Sequence, residues 1–322
     1  MCAGSGSGGA LESGRMPLES KSTCRQGGQR LAVLAVQHIR RMRGGAQGHL
    51  MLGGDGNAYV VKFQNNPQHL RVLANEFLAT RLAHAAGLSV PTPELVEVSP
   101  WLIENTQELD LDYGRRRERC RAGLHFGSRF AGGLMPNHVL DYLPAEQLLE
   151  IRNLNEFAGI LALDKWTANA NGRQAVFVRR GRERSYRAVF IDFGYCFHAG
   201  EWKFEDAPLR GVYHRNDVYR KICGWESFEP WLTGIESMAE ETVWNAANEV
   251  PPEWYGGDLM EMETLVKRLL ARRSRIRELI EAFGRSDRKP FPNWGGEGGK
   301  VGENGWKAGG ESDSIGASAG AQ

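Results

Sequence analysis

Two stretches decide the fold: Phe-Ile-Asp-Phe-Gly at residues 190–194, and Leu-Asp-Lys-Trp-Thr-Ala-Asn at residues 163–169. Each places an acid at the end of an apolar run, Asp192 in the first and Asp164 in the second, and Asn169 follows Asp164 by five positions. Enzymes that transfer a phosphoryl group from ATP use one Asp to orient the attacking hydroxyl, and an Asn and an Asp to hold magnesium. The two stretches therefore predict phosphoryl transfer, with Asp164 as the catalytic group and Asn169 and Asp192 as metal ligands.

Residues upstream of these stretches supply a candidate phosphate-binding region. Lys62 lies at the end of a predicted strand, and Glu76 follows 14 residues later on a predicted helix, where it can pair with the lysine. A glycine-rich loop at residues 44–48 joins the first two predicted strands, and glycine lets backbone N–H groups approach phosphate closely. Its predicted contacts are Gly44, Gly45 and Gln47. By its position, the glycine run at residues 53–57 is instead a hairpin turn.

The sequence also allows another interpretation of each of these residues. Lys62 is also consistent with an edge-strand lysine that reaches solvent, and Glu76 with a surface acid on a helix. The loop at residues 44–48 is also consistent with a plain turn. Asn171 competes with Asn169 for the role of metal ligand, because both are amides in the same polar loop.

The hydrophobic pattern predicts an α+β fold with two lobes. Residues 31–41, 49–52, 58–63, 95–98 and 101–104 are predicted strands, and 175–179 and 188–192 a hairpin. Residues 70–85, 145–163, 231–248 and 258–283 are predicted helices. The predicted divisions are a disordered tail at 1–28, an N-lobe at 29–125, a C-lobe at 126–284 and a disordered Gly-rich tail at 285–322.

Composition excludes several classes of protein. The 322 residues include 40 basic and 39 acidic side chains, so no overall field favours nucleic acid or a membrane surface. No apolar run is long enough to span a membrane. The five cysteines have no metal-ligand spacing, which predicts neither disulfides nor structural zinc and favours a cytoplasmic location.

At these motifs the chain resembles the HipA-like kinase family, which has the protein-kinase and phosphatidylinositol-kinase type of fold. The resembling stretches are Arg-Gly-Gly-Ala-Gln (43–47), Tyr-Val-Val-Lys-Phe (59–63), Asn-Glu (75–76), Asp-Lys-Trp-Thr-Ala-Asn (164–169), Gly-Arg-Gln (172–174) and Ile-Asp-Phe-Gly (191–194). The resemblance implies a two-lobed domain that binds ATP and Mg²⁺. It also implies that Lys62 contacts the phosphates, that Asp164 is the catalytic acid-base, and that Asn169 and Asp192 hold the metal.

The chain departs from protein kinases at two motifs. No His-Arg-Asp includes Asp164, and no Ala-Pro-Glu follows Asp192. The acceptor therefore stays open between a protein Ser or Thr and a small-molecule hydroxyl, as in aminoglycoside-type kinases. An alternative of a different class is a pseudokinase-type regulatory module that binds nucleotide.

Overall fold

The computed structural model describes residues 31–132 and 139–295. The strands are β1 Val33–Arg41, β2 His49–Gly53, β3 Ala58–Lys62, β4 Pro93–Val98, β5 Asp110–Asp112, β6 Arg117–Arg119, β7 Gly123–Arg129, β8 Val139–Leu140, β9 Gln174–Val178 and β10 Arg187–Ile191. The α-helices are α1 Val72–Ala85, α2 Pro100–Glu104, α3 Ala145–Leu149, α4 Glu156–Trp166, α5 Trp231–Glu236, α6 Glu240–Asn248, α7 Leu259–Arg272 and α8 Ile276–Gly284.

Five strands of the first half form a closed barrel in the order β1-β2-β3-β7-β4. The neighbours along this order are antiparallel, and β4 closes the barrel by pairing in parallel with β1. The predicted hairpin turn between β2 and β3 is confirmed: the Gly53 N–H donates to the Asn57 carbonyl at 2.8 Å. Gly56 adopts φ 78, a conformation that glycine tolerates without strain. Strand β3 ends at Lys62, so its pairing within the barrel fixes the position of that lysine.

The second half is mainly helical and contains one small sheet, ordered β10-β9-β8. The predicted hairpin of β9 and β10 is confirmed, and β10 ends at Ile191 immediately before Asp192. Helix α4 is buried on every side because α5 and α8 pack against it. Gly159 allows the approach of α5, since a Cβ there would lie 2.4 Å from the Trp231 ring.

Helix α1 belongs to the main hydrophobic core rather than to the surface. Residues 72–80 are all buried, and their apolar side chains join the core that the C-terminal helices form. This burial carries Asn75, Glu76 and Thr80 into the interior as well. A buried polar group is costly without a partner, so these side chains need hydrogen bonds from neighbouring elements.

Several predicted elements differ from the structure. Residues 101–104 form part of helix α2 and not a strand, because Ser99 caps the helix by accepting from the Leu102 N–H at 3.2 Å and Pro100 starts it. The predicted helix 145–163 is two helices separated at residues 150–155. Similarly, 231–248 divides into α5 and α6, and 258–283 is interrupted by a 3₁₀ turn at Arg273–Arg275.

Two of the predicted domain limits fall within the described residues. The boundary between residues 125 and 126 falls inside β7, and the division into lobes at that point stays a prediction. The predicted start of the tail at residue 285 also stays a prediction; beyond it, Phe291 is buried and packs with Trp294 at a ring separation of 5.6 Å. Residues 1–30 and 296–322, where the tails were predicted, lie outside the described residues. Within the described ranges, no helix has both the length and the apolar character needed to cross a membrane.

Candidate active site

The structure brings Lys62, Glu76 and Asp192 together, although they lie on different elements. The Lys62 Nζ donates to a carboxylate oxygen of Glu76, 14 residues away, and to Asp192 Oδ1 at 2.8 Å, 130 residues away. The lysine and Asp192 side chains are 9% and 14% exposed, and Glu76 is 3% exposed. The solvent-reaching alternatives for Lys62 and Glu76 therefore do not describe this protein.

Burial and charge act against each other in this cluster. Burial alone would lower the pKa of Lys62, but the charges of Glu76 and Asp192 outweigh it and raise that pKa. Burial raises the pKa of Glu76, only partly opposed by Lys62. Burial also pushes the pKa of Asp192 upward, but the charge and hydrogen bond of Lys62, together with Glu76 and Arg173, outweigh it, so this pKa lies below its ordinary value. Lys62 is thus held as a cation, and Asp192 as the anion nearer to solvent.

Asp192 follows β10 in a left-handed conformation, with φ 64. This bend directs one carboxylate oxygen to Lys62 and the other to the Gln174 side-chain amide, at 2.6 Å. Two residues later, the Gly194 N–H donates to Glu76 at 2.9 Å. Glycine is required there, since a Cβ would lie 2.7 Å from a Val72 methyl group.

Asp164 lies in the last turn of α4, and neighbouring side chains engage its carboxylate. Both carboxylate oxygens accept from the Arg173 guanidinium, at 2.5 and 2.9 Å, and one of them also accepts from the Asn169 amide at 2.9 Å. The Asp164 side chain is 0% exposed and the Arg173 side chain 1%. In this arrangement both oxygens of Asp164 are engaged within the protein, and its assignment as the catalytic group stays a prediction.

Arg173 connects the two clusters. Its guanidinium also donates to the carbonyls of Ile191 and Asp192, at 2.7 and 3.2 Å, and stacks on the Phe193 ring at 4.1 Å. One arginine therefore fixes the predicted catalytic loop, residues 167–173 between α4 and β9, and the Asp192 turn relative to each other. Sequence reasoning gave Arg173 no role, and the only signal was its place in the Gly-Arg-Gln stretch.

The two competing amides have different environments. Asn169 is 3% exposed, and its amide is engaged with Asp164 and with the Asn171 N–H at 3.0 Å. Asn171 is exposed, as is Gln174, which contacts Asp192 directly. Asn169, the predicted metal ligand, is thus less exposed to solvent than its competitor Asn171. Gln174 is a candidate ligand that sequence reasoning missed.

The glycine-rich loop occupies its predicted place between β1 and β2. A Cβ on Gly48 would lie 2.8 Å from Val60 and 4.0 Å from the Lys62 side chain, so the loop ends close to the lysine. Gly44 adopts φ 115, a conformation that favours glycine. The Gln47 side chain is committed elsewhere, since its amide bonds to Arg41 and to the Asp112 backbone. The phosphate-binding roles of Gly44, Gly45 and Gln47 stay predictions.

Comparison with known proteins decides the family. A family model for HipA-like kinases matches residues 35–278. The chain belongs to the HipA-like kinase family. This membership confirms the predicted kinase-like α+β fold, with a β-rich first half and a mainly helical second half. No curated protein matches the chain at a significant level.

Several solved structures are similar to this HipA-like kinase. Hydra Fam20, solved with sugar, is 12% identical with a TM-score of 0.48, over 81% of this chain and 89% of that chain. The Golgi casein kinase with Mn and ADP bound is 13% identical with a TM-score of 0.42, over 80% and 75%. HipA of Shewanella oneidensis MR-1, solved with HipB and operator DNA, is 14% identical with a TM-score of 0.33, over 84% and 70%.

In this HipA-like kinase the segment after Asp192 is strained. Phe197, His198 and Ala199 are consecutive residues with φ of 59, 59 and 57. A left-handed conformation costs about 1–2 kcal/mol per non-glycine residue. The Phe197 and His198 N–H groups donate to the carbonyls of Thr167 and Ala168, at 2.6 and 3.1 Å. The strained segment is therefore fastened to the catalytic loop.

Lys165 is a buried cation beside the catalytic loop. Its Nζ donates to the carbonyls of Pro208 and Arg210, at 2.9 and 2.5 Å. Burial lowers the pKa of Lys165 to about 7. Lys165 thus ties residues 208–210 to α4, and its protonation changes near neutral pH.

The unfolding free energy is expected to rise with pH between about 7 and 8.5 because of Lys165. Its folded pKa is lowered to about 7, whereas an unfolded lysine has a pKa of about 10.4. Between these values the unfolded chain binds a proton that the folded protein has released. The increase is therefore at most about 1.4 kcal/mol per pH unit, measurable by urea unfolding.

Two variants isolate this effect. Lys165→Met should flatten the rise, whereas Lys267→Met, which removes an exposed lysine of α7, should keep it. The window stops at about pH 8.5 because the buried thiols of Cys120 and Cys196, whose pKa values burial raises to about 12, oppose the rise once the unfolded cysteines ionise. An unchanged slope in Lys165→Met contradicts the prediction.

Proposed function

We propose that this HipA-like kinase is an ATP- and Mg²⁺-dependent phosphotransferase. The observation that carries the proposal is the contact of Lys62 with both Glu76 and Asp192. A lysine on the third strand, paired with a glutamate on the following helix and close to the Asp of an Asp-Phe-Gly stretch, is the arrangement that protein kinases need for catalysis.

Each side chain then has a distinct role. Lys62 would contact the phosphates of ATP, and Glu76 would hold the lysine in place. Asp192 would hold the metal ion, which neutralises charge on the phosphates when it is bound. Phosphoryl transfer requires mainly positioning and electrostatic stabilisation, so a rigid set of charges is sufficient for most of the catalytic effect.

The donor set fits a magnesium ion. The charged side chains of the site are the cations Lys62 and Arg173 and the acids Glu76, Asp164 and Asp192. Across residues 31–132 and 139–295, no three His, Cys, Asp or Glu side chains converge as a metal site. Magnesium in such enzymes is held by one or two carboxylates together with substrate phosphates and water. Asp192, with Asn169 or its competitor Asn171 as predicted and Gln174 as a further candidate, would supply the protein part.

The acceptor is proposed to be a hydroxyl, either of a protein Ser or Thr or of a small molecule. Transfer to an alcohol needs no further cofactor in this scheme beyond ATP and Mg²⁺. The cytoplasmic location and the absence of nucleic-acid binding are also proposals, based on the cysteine usage and the balanced charge of the chain.

One observation favours a second candidate, a regulatory module that binds nucleotide without transferring phosphate. The stretch from residue 164 to residue 174 contains no carboxylate other than Asp164, and Arg173 engages both of its oxygens. If that pair stays closed, the catalytic loop offers no base to an acceptor hydroxyl. Nucleotide binding through Lys62 and Asp192 would be unaffected.

The test is to measure ATP binding and phosphate transfer with the same purified protein. ATP with Mg²⁺ at about 100 times its Kd should stabilise the protein by about 2.7 kcal/mol, and ATP without Mg²⁺ by clearly less. Incubation with γ-labelled ATP should label the protein, an added acceptor or released phosphate. Binding without any transfer supports the regulatory module. Failure of ATP to stabilise the protein, with or without Mg²⁺, overturns both candidates.

A further inference from the structure

The Asn75 side chain, adjacent to Glu76 on α1, joins that helix to the segment that follows Asp192. Asn75 is completely buried. Its Nδ2 lies 2.9, 2.9 and 2.8 Å from three carbonyl oxygens, those of Gly194, Cys196 and Ala199. Its Oδ1 accepts from the Trp202 indole N–H at 2.7 Å. One amide thus contacts four polar groups of residues 194–202, with its two N–H donors shared among three carbonyls.

This segment needs fastening from outside because its own backbone is unfavourable. Phe197, His198 and Ala199 are left-handed in succession, and none of them is glycine. Such conformations persist only when the surroundings over-determine them, and they concentrate at functional sites. The Asn75 amide binds Ala199 within this turn and Cys196 just before it.

The same segment touches the charged cluster. The Gly194 N–H donates to Glu76 at 2.9 Å, and the Gly194 carbonyl contacts both Asn75 and the His69 ring at 2.9 Å. Gly194 is only two residues after Asp192. A shift of residues 194–199 would therefore disturb the Glu76 contact and the Asp192 turn together.

We propose that Asn75 is a positioning residue: it locks residues 194–202 onto α1 and so keeps Glu76 and Asp192 on Lys62 before any nucleotide binds. Its kinetic consequence rests on the proposed phosphotransferase function. The structural lock itself does not, so it can be tested in a protein without measurable transfer.

The test compares Asn75→Asp with Asn153→Asp. Asn75→Asp keeps the size and the oxygen facing Trp202, but replaces the donor nitrogen by an oxygen against three carbonyls. Asn153 is a matched control: it is also buried, its Nδ2 donates to the Ala188 carbonyl at 2.9 Å, and its Oδ1 accepts from the Ala188 N–H at 2.8 Å. Both substitutions remove a buried side-chain N–H that donates to a backbone carbonyl, but only the Asn75 side chain contacts residues 194–202.

Two readouts separate positioning from general stability. Hydrogen exchange of residues 190–200 should become at least about tenfold faster in Asn75→Asp, through local opening, and stay unchanged in Asn153→Asp. The kcat/KM for ATP should fall about 10- to 100-fold in Asn75→Asp and less than about threefold in Asn153→Asp. If Asn75→Asp does not fold, Trp202→Phe, which removes the indole N–H that donates to Asn75, should still accelerate exchange of residues 190–200.

The outcomes are distinct. Equal exchange of residues 190–200 in the two Asn variants overturns the lock. Faster exchange with unchanged kcat/KM overturns the positioning role in catalysis. If the wild-type protein neither binds nor turns over ATP, the proposed function fails, and exchange alone then decides whether Asn75 holds the segment.

Discussion

Asp192→Asn is expected to reduce phosphate transfer by at least about 10²-fold, because it removes the negative charge that would hold the metal ion. The variant keeps the shape of the side chain. Lys62 retains Glu76 as a partner, and the buried cluster of these two becomes neutral, so the unfolding free energy should change little or increase. The measurements are transfer from γ-labelled ATP and urea unfolding on the same preparation.

Asp110→Asn is the matched control for this experiment. Asp110 is 17% exposed, close to the 14% of Asp192, and pairs with Arg41 at 3.1 Å. Asp110 lies on β5, outside the cluster of Lys62, Glu76 and Asp192, so Asp110→Asn should keep transfer within about twofold. Substitutions away from a buried or functional cluster usually have small effects. Equal activity of the two variants would falsify the assignment of Asp192.

Asp164→Ala is expected to lower the unfolding free energy by about 3–5 kcal/mol. The replacement leaves the Arg173 guanidinium buried without its carboxylate, and an uncompensated charge in the interior is strongly destabilising. Arg173 also holds the carbonyls of Ile191 and Asp192, so the disturbance should spread to the Asp192 turn. Chemical denaturation of the variant and the wild type measures the loss.

A partly exposed ion pair provides the comparison. Glu236 accepts from two nitrogens of Arg277, both at 2.8 Å, but the side chains are 31% and 41% exposed. Glu236→Ala should therefore cost about 1 kcal/mol or less. If Asp164→Ala costs no more than this control, the buried pair does not stabilise the loop as described. Asp164→Asn adds a kinetic arm, since a folded variant with normal transfer would remove Asp164 from the chemistry.

The charged cluster was accessible from the sequence because its members follow a fixed order. Lys62 ends a strand, Glu76 lies on the next helix, and Asp192 follows an apolar strand, so their meeting needs only the kinase-like topology. The environment of Asp164 could not be predicted from the sequence. Its partner Arg173 comes from a loop nine residues later, and only the folded chain shows that the guanidinium points inward.

Apolar periodicity predicted that helices exist, but not where they break. The predicted helix 145–163 is interrupted at residues 150–155, where the Asn153 amide is bonded to the Ala188 backbone, a contact with no local signature in the sequence. The short segment at residues 101–104 was predicted as a strand because four residues cannot show a helical period. The signal that indicates a helix there is Ser99 followed by Pro100.

The parallel pairing of β1 with β4 closes the five-stranded sheet on itself, with Val33 and Leu34 opposite Val96 and Glu97. The closure consists of these two residue pairs, so residues 35–41 of β1 pair with β2 on one side and have no ladder partner in β4 on the other. An unpaired strand edge is a template to which another chain can add a strand. A binding screen of this half of the molecule should therefore include backbone-pairing peptides as well as ligands that contact its side chains and loops.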